Sequence, residues 1–178
     1  MALFLLTGGA RSGKSAAAQR LAESGGAAVM LIATAEALDE EMAERIRQHR
    51  DARPDSWRTI EEPLDPLGAL ERVDPRDTVV IDCLTLWVSN LLGKGATDAE
   101  VVSEAERVAA TAGERSGRTV VVTNEVGLGI VPFDPETRRY RDLLGRVNTT
   151  FSKAADRVGL LVSGRLLWLE PLSEELGP

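Results

Sequence analysis

Leu3-Phe4-Leu5-Leu6-Thr7-Gly8-Gly9-Ala10-Arg11-Ser12-Gly13-Lys14-Ser15 is an apolar run, a glycine turn, and a lysine and serine that open an alanine-rich stretch. Four successive apolar residues before a turn suit a strand buried on both faces. From Gly8 to Ser15 the spacing is G-x-x-x-x-G-K-[ST]. Such a loop turns backbone N–H groups inward around phosphate oxygens, which needs glycine where a Cβ would collide. The helix that follows aims its positive N-terminal end at the same anion. In that reading Gly8, Gly9, Ala10, Arg11, Ser12 and Gly13 cradle a nucleotide. Lys14 reaches its β- and γ-phosphates, and the Ser15 hydroxyl holds Mg²⁺. The bland alternative is a Gly-Ser turn that caps a helix. A strand before the loop and a helix after it weigh against that.

Outward from this loop, short β-type runs alternate with helical patterns. Strands are expected at Leu3–Thr7, Ala28–Ile32, Trp57–Glu61, Thr78–Ile81, Thr119–Thr123 and Gly159–Val162, with Leu166–Glu170 as a partner for the last. Helices are expected at Lys14–Glu23, Leu38–Ala52, Pro66–Arg72, Leu84–Leu92, Asp98–Ala112 and Pro135–Arg157. The alternation implies βα crossovers, hence an α/β fold: a P-loop NTPase with a mostly parallel sheet and helices on both faces. No repeat or linker divides the chain, so residues 1–178 are expected to form a single nucleotide-binding catalytic domain.

In such sheets ligands gather at the carboxyl ends of the strands. Val79-Val80-Ile81 delivers Asp82 to that edge, either to help hold Mg²⁺ or to cap the helix that follows. The next strand ends in Thr123-Asn124-Glu125. Asn124 lacks the Lys and Asp of a guanine-reading Asn-Lys-x-Asp motif, which argues against a switch GTPase. Glu125 is read equally as a site group or a surface carboxylate.

The chain has 178 residues, a formal net charge of −7 and a pI near 4.9, which excludes a general nucleic-acid binder or a partner for anionic membranes. A single cysteine, Cys83, excludes an internal disulfide and suits a reducing compartment. No run approaches the roughly 18 apolar residues that span a bilayer. The apolar opening lacks a basic leader and a cleavage region, so a cytoplasmic location is expected.

The chain's one histidine, His49, stands in Arg45-Ile46-Arg47-Gln48-His49-Arg50-Asp51-Ala52-Arg53-Pro54. Leu38, Met42 and Ile46 share its side of the projected helix, which by itself is the pattern of a packed or helix-terminal histidine. Arg45 and Arg53 lie one turn to either side, and Pro54 stops the helix. Guanidinium groups gathered so closely repel one another unless an anion or carboxylates from Glu40, Glu41 and Glu44 lie between them. They also disfavour imidazolium, and a neutral imidazole is a competent nucleophile towards phosphorus. The residues alone leave a phosphoramidate intermediate and a phosphate-binding histidine both open.

GGARSGKS, ATAEALDEEMAERIRQHRDARPDSWRTIEEP, VIDCLTLWVSNLL and TNEVGLGIVP together resemble the bifunctional adenosylcobinamide kinase/adenosylcobinamide-phosphate guanylyltransferases of cobalamin synthesis. The resemblance runs to about Asn148, and R-I-x-x-H-x-x-x-R-P-x-x-W with T-x-E is its most specific part. It implies a RecA-like P-loop fold and a two-step reaction. ATP or GTP phosphorylates adenosylcobinamide. GTP then gives GMP to a histidine, and adenosylcobinamide phosphate takes it to form adenosylcobinamide-GDP, with pyrophosphate released. The matching histidine is His49. The nucleotide contacts carried over are Gly8 through Ser15, Ala33, Thr34, Ala35, Arg50, Asp51, Ala52, Arg53, Glu61 and Asp82. A homotrimer with the site near a subunit boundary is also implied. Departures fall at Thr149-Thr150, where Gln is expected after Asn148, and at Gly164-Arg165-Leu166. Arg138, Arg139, Arg141 and Arg146 form a second basic island, read by default as a solvated helix face. Two rival readings are a plain small-molecule P-loop kinase and a RecA-type NTP-driven module.

Overall fold

The computed structural model describes residues 2–171. Seven strands form one sheet: β1 Ala2–Gly8, β2 Val29–Ala33, β3 Arg58–Glu61, β4 Thr78–Asp82, β5 Arg118–Val122, β6 Arg157–Val162 and β7 Arg165–Leu169. The helices are α1 Lys14–Glu23, α2 Glu40–Asp51, α3 Pro66–Glu71, α4 Leu84–Gly93, α5 Asp98–Glu114 and α6 Pro135–Ala154. The order across the sheet is β3-β2-β4-β5-β1-β6-β7. Every pair is parallel except β6 with β7. The α/β expectation from the alternating pattern is met.

Side chains alternate between two cores because successive Cβ atoms of a strand face opposite ways. Leu3, Leu5, Ile32, Ile81 and Val121 pack with Trp87, Leu143, Leu144 and Phe151 beneath α3 to α6. Phe4, Leu6, Leu31, Val80 and Val122 face Ala18 and Ala22 of α1. A fully buried leucine contributes about 1.5–3 kcal/mol relative to an exposed one. The two-sided burial of β1, β4 and β5 therefore makes the centre of the sheet the stable frame of the molecule.

Two of the differences from the expected boundaries have local reasons. α2 begins at Glu40 because the Asp39 side chain accepts the Met42 N–H at 2.7 Å, the usual oxygen cap of a helix start. α6 stops at Ala154 because the chain rejoins the sheet. The Asp156 N–H donates to Leu3 O at 2.9 Å, and the Leu3 N–H donates to the Asp156 carboxylate at 2.7 Å. Across the sheet β5 lies between β1 and β4, so Asp82 sits two strands from the glycine loop.

Candidate active site

The glycine loop after β1 has the backbone its sequence demands. Gly8 has φ 149°, and a Cβ there would stand 2.4 Å from the Leu161 carbonyl oxygen of β6. Gly13 has φ 101° and would bring a Cβ within 3.2 Å of Gly164 Cα. The turn between β6 and β7 thus props the loop from behind, and the Gly164 N–H donates to Ser12 O at 2.9 Å. Gly164 belongs to one of the departures from the family pattern, and its contact with the loop was not legible from its position in the chain.

How the helices begin marks where the site lies. α2, α3, α5 and α6 each start under a side-chain cap, from Asp39, Asp65, Thr97 and Asp134. α1 and α4 do not: Gly13 and Cys83 stand at their N-caps with no side-chain bond to the first turn. Asp82 is therefore not the cap of α4. The uncapped starts open into one cavity of about 530 Å³, lined by Gly13 to Ala16 and by Cys83, Thr85 and Leu86. Two helix beginnings with N–H groups free of side-chain caps, turned towards one space, suit an anion.

The same cavity gathers charge. Arg11, Lys14, Arg45, Arg50 and Arg53 line it beside the two carboxylates Glu61 and Asp82, a cationic hollow in a chain of net charge −7. Arg50 pairs with Glu61, and Arg47 with Glu44 on the outer side of α2. Among the described residues Arg45 and Arg53 form no ion pair with a carboxylate. The carboxylate partners anticipated on α2 thus satisfy only part of the arginine cluster. Lys14 folds over the loop and donates to Gly9 O at 2.7 Å and Gly8 O at 3.0 Å. Burial pulls Lys14 below its ordinary range, with Cys83 and Asp82 pulling it back up. Burial likewise pulls Arg53 down, opposed first by Asp82. Asp82 moves the other way: desolvation raises its carboxyl, against His49, Arg53, Lys14 and Arg45, which favour the charged form.

His49 sits in the last turn of α2, exposed to solvent and lining the cavity with Met42, Arg45 and Ile46. The apolar stripe expected to bury this helix does not do so. α2 buries no residue, and Leu38 is 81% exposed. Met42 and Ile46 are half-buried and face the cavity, so the helix acts as its wall. A second cavity of about 340 Å³ adjoins the first and shares Ser15, His49, Arg53 and Asp82 with it.

The remaining expected residues divide. Ala10, Arg11, Ser12, Ala33 and Ala35 line the first cavity; Ala52 lines the second. Gly8, Gly9 and Asp51 line neither, the glycines acting through the loop's backbone. Thr34 is fully buried. Its hydroxyl donates to Cys83 O at 2.7 Å and accepts the Cys83 N–H at 2.8 Å. Thr34 therefore ties the end of β2 to the end of β4 without facing the cavity. Arg45, Thr85, Leu86 and Asn124 line the site without having been singled out as nucleotide contacts. For Asn124 the signal was its place at a strand end. Asn90 positions from behind, its amide donating to Thr34 O at 2.8 Å and Pro63 O at 3.1 Å. Glu125 turns back to accept the Gly127 N–H at 2.7 Å. The second basic island is largely paired on the surface: Arg138 bonds the Pro132 and Phe133 carbonyls, Arg139 meets Asp98, and Arg141 meets Asp142.

A parallel sheet, a G-x-x-x-x-G-K-S loop and a cationic cavity at the strand ends define a P-loop nucleotide-dependent protein. Residues 4–169 match the family model CobU, cobinamide kinase / cobinamide phosphate guanyltransferase. Among curated relatives, the bifunctional adenosylcobalamin biosynthesis protein CobP of Pseudomonas aeruginosa is 44% identical over 161 residues, covering 90% of this chain and 92% of that protein. The CobU proteins of Salmonella typhimurium (strain LT2) and Escherichia coli (strain K12) are 42% and 40% identical over 176 residues, covering 91% of this chain and 96% of each. A solved structure from Pyrococcus horikoshii OT3 superposes with a TM-score of 0.55 at 10% identity, covering 98% of this chain and 88% of that one, which speaks to the fold alone. The chain belongs to the cobinamide kinase / cobinamide phosphate guanyltransferase family. It is a bifunctional enzyme of cobalamin biosynthesis, an adenosylcobinamide kinase and adenosylcobinamide-phosphate guanylyltransferase.

Proposed function

We propose that His49 is the covalent carrier of GMP between GTP and adenosylcobinamide phosphate, and that the loop Gly8–Ser15 binds the nucleotide phosphates for both half-reactions. The observation that carries this is the meeting of His49, Lys14, Arg45, Arg50, Arg53 and the uncapped start of α1 in one cavity. A ring nitrogen of His49 attacks the α-phosphorus of GTP. The bond from that phosphorus to the β-phosphate oxygen breaks, and pyrophosphate leaves with the bonding electrons. A phosphate oxygen of adenosylcobinamide phosphate then attacks the same phosphorus, and the P–N bond returns its electrons to the imidazole. Splitting one displacement between two anions into two steps lowers each barrier. Arg45 and Arg53, which pair with no carboxylate among the described residues, suit the charge that grows on the α-phosphate. Ala33, Ala35, Arg50 and Glu61 form the wall where the GTP nucleoside rests, and Thr34 holds that wall in place. ATP or GTP serves as phosphoryl donor to adenosylcobinamide, whose hydroxyl attacks the γ-phosphorus and gives up its proton to solvent, while the bond to the β-phosphate oxygen breaks and ADP or GDP leaves with its electrons.

The donor set also suits Mg²⁺. The Ser15 hydroxyl and the Asp82 carboxylate face the same cavity and supply only oxygen, the donor this hard cation takes alongside phosphate and water. When bound, the ion supplies charge neutralisation across the phosphates. Asp82 would hold it while Lys14 orients the phosphate tail.

The chain is further read as a homotrimer whose site lies near a subunit boundary. Between β5 and α6, Leu128, Ile130, Val131 and Phe133 are exposed, Phe133 fully. Asn124 at the start of that connection lines the cavity. An apolar loop beside a site is the surface such a boundary covers. Among the described residues no helix is long and apolar enough to cross a membrane, and the lone Cys83 suits the reducing cytoplasm.

Incubation with GTP and Mg²⁺ is expected to add the mass of one GMP to the intact chain, in an acid-labile, base-stable bond that His49→Asn abolishes. His49→Asn should still phosphorylate adenosylcobinamide. GMP uptake that survives the substitution removes His49 from the mechanism.

A further inference from the structure

The two reactions of this enzyme address different phosphorus atoms, γ for the kinase step and α for guanylyl transfer. Each is an in-line displacement, with nucleophile, phosphorus and leaving oxygen aligned. A loop that encloses the β- and γ-phosphates presents the γ-phosphorus outward and leaves the α-phosphate near Ser15 and Ala16. From there a nucleoside enters whichever space is open, and two cavities adjoin at this point. Both are lined by Ser15, His49, Arg53 and Asp82.

We infer that the second cavity is the nucleoside pocket of the phosphoryl donor in the kinase step, distinct from the wall where the GTP of guanylyl transfer rests. The inference builds on the reading of His49 and Glu61 given above, which assigns the first cavity to guanylyl transfer. At about 340 Å³ the second cavity is of ligand size. Leu31 and Val80 give it an apolar floor, and the Trp57 indole, half-buried, stands on its wall. An indole face stacks on any base without regard to its edge. The polar groups at the base end are two amides, Gln19 of α1 and Gln48 of α2. Each amide group has one N–H engaged, Gln19 with Glu23 at 3.0 Å and Gln48 with Glu44 at 2.9 Å, which turns the nitrogen towards those carboxylates. Their carbonyl oxygens are left to accept from an exocyclic amino group. Among the described residues the one carboxylate lining the pocket, Asp82, belongs to the phosphate end shared with the first cavity. His49 stands between the two spaces, so moving the nucleoside from one to the other changes which phosphorus faces which acceptor.

The test uses the whole enzyme with two readouts: the KM for ATP in phosphorylation of adenosylcobinamide, and the rate of GMP uptake from GTP by mass. Trp57→Leu is expected to raise the KM for ATP about tenfold or more, with GMP uptake within twofold of wild type. Trp57→Phe, which keeps an aromatic face, should recover most of the loss. Photolysis of bound 8-azido-ATP in the wild-type protein, which needs no variant to fold, should label Gln19 or the segment Gln48–Trp57. An unchanged KM, an equal fall in both readouts, or label confined to Ala33–Ala37 and Thr59–Glu61 overturns the pocket. Should the wild type take up no GMP at all, the role of His49 fails, while the KM for ATP and the photolabel still decide this inference.

Discussion

Replacing Thr34 with valine keeps the side chain's shape and removes one oxygen. That oxygen carries two hydrogen bonds to a single peptide neighbour, 2.7 Å to Cys83 O and 2.8 Å from Cys83 N. Thr34 is fully buried, so its two former partners gain no water in exchange. Each unsatisfied group costs about 1–3 kcal/mol, and the added methyl returns less than 1 kcal/mol, for a net loss of about 3 kcal/mol. In a protein of this size that lowers Tm by about 6–12 °C. The backbone bond from Thr34 N to Asp82 O at 3.0 Å remains, so the sheet persists while the turn after Asp82 loosens. Phosphorylation of adenosylcobinamide should then fall at least tenfold in kcat. Urea unfolding followed by circular dichroism supplies the stability, with Thr34→Ser as the control that keeps the hydroxyl and loses about 1 kcal/mol. Were Thr34→Val as stable as wild type while Thr34→Ser was the weaker of the two, the methyl would matter and the oxygen would not. The tie between β2 and β4 would then be refuted.

Asp82→Asn should stabilise the protein and inactivate its kinase step. Burial raises the Asp82 carboxyl above its ordinary range, so its contribution to stability is full below the unfolded pKa of about 4 and declines as pH rises through the folded value. Melting curves should therefore place the variant above wild type at pH 7 and not at pH 3. Gly13→Ala forces a side chain into φ 101° against Gly164 and should cost about 1–3 kcal/mol, with nucleotide affinity, read by titration calorimetry, lost more steeply than stability. Arg115 is buried and donates to the carbonyls of Leu70, Val73, Asp74 and Asp77. Arg115→Met should destabilise by about 3–5 kcal/mol in urea without altering the ratio of the two activities in the surviving folded fraction.

The strands were legible because continuous apolar runs such as VVI and VVV have no other stable use in a short segment. The loop at Gly8–Ser15 was legible because few residue patterns permit its backbone. What the chain could not disclose was adjacency. Nothing near Arg118–Val122 indicates that β5 slips between β1 and β4. Thr34 was carried over as a nucleotide contact by the resemblance, yet its hydroxyl is taken up by Cys83 and its carbonyl by Asn90 of α4. The stripe Leu38, Met42, Ile46, His49 had the spacing of a buried face. Periodicity reports only which side chains share a side, and here that side meets a cavity. The arginines showed the same limit: sequence offered them the carboxylates of their own helix, whereas Arg50 found Glu61 on β3.

The place of β1 in the sheet has a consequence for synthesis. It is flanked by β5 and β6, so β1, once made, finds its neighbours only after residues 118–122 and 157–162 have followed it. Translation at the usual pace of roughly 5–20 residues per second leaves Leu3–Thr7 waiting roughly 5–20 s for its first partner. Throughout that interval both of its edges are bare, and so sticky. The glycine turn waits longer still, since its prop at Gly164 is made only after β6. The nucleotide loop is thus translated well before it can take shape, and a nascent chain stalled before residue 118 presents the unpaired apolar run Leu3–Leu6 for chaperones to hold.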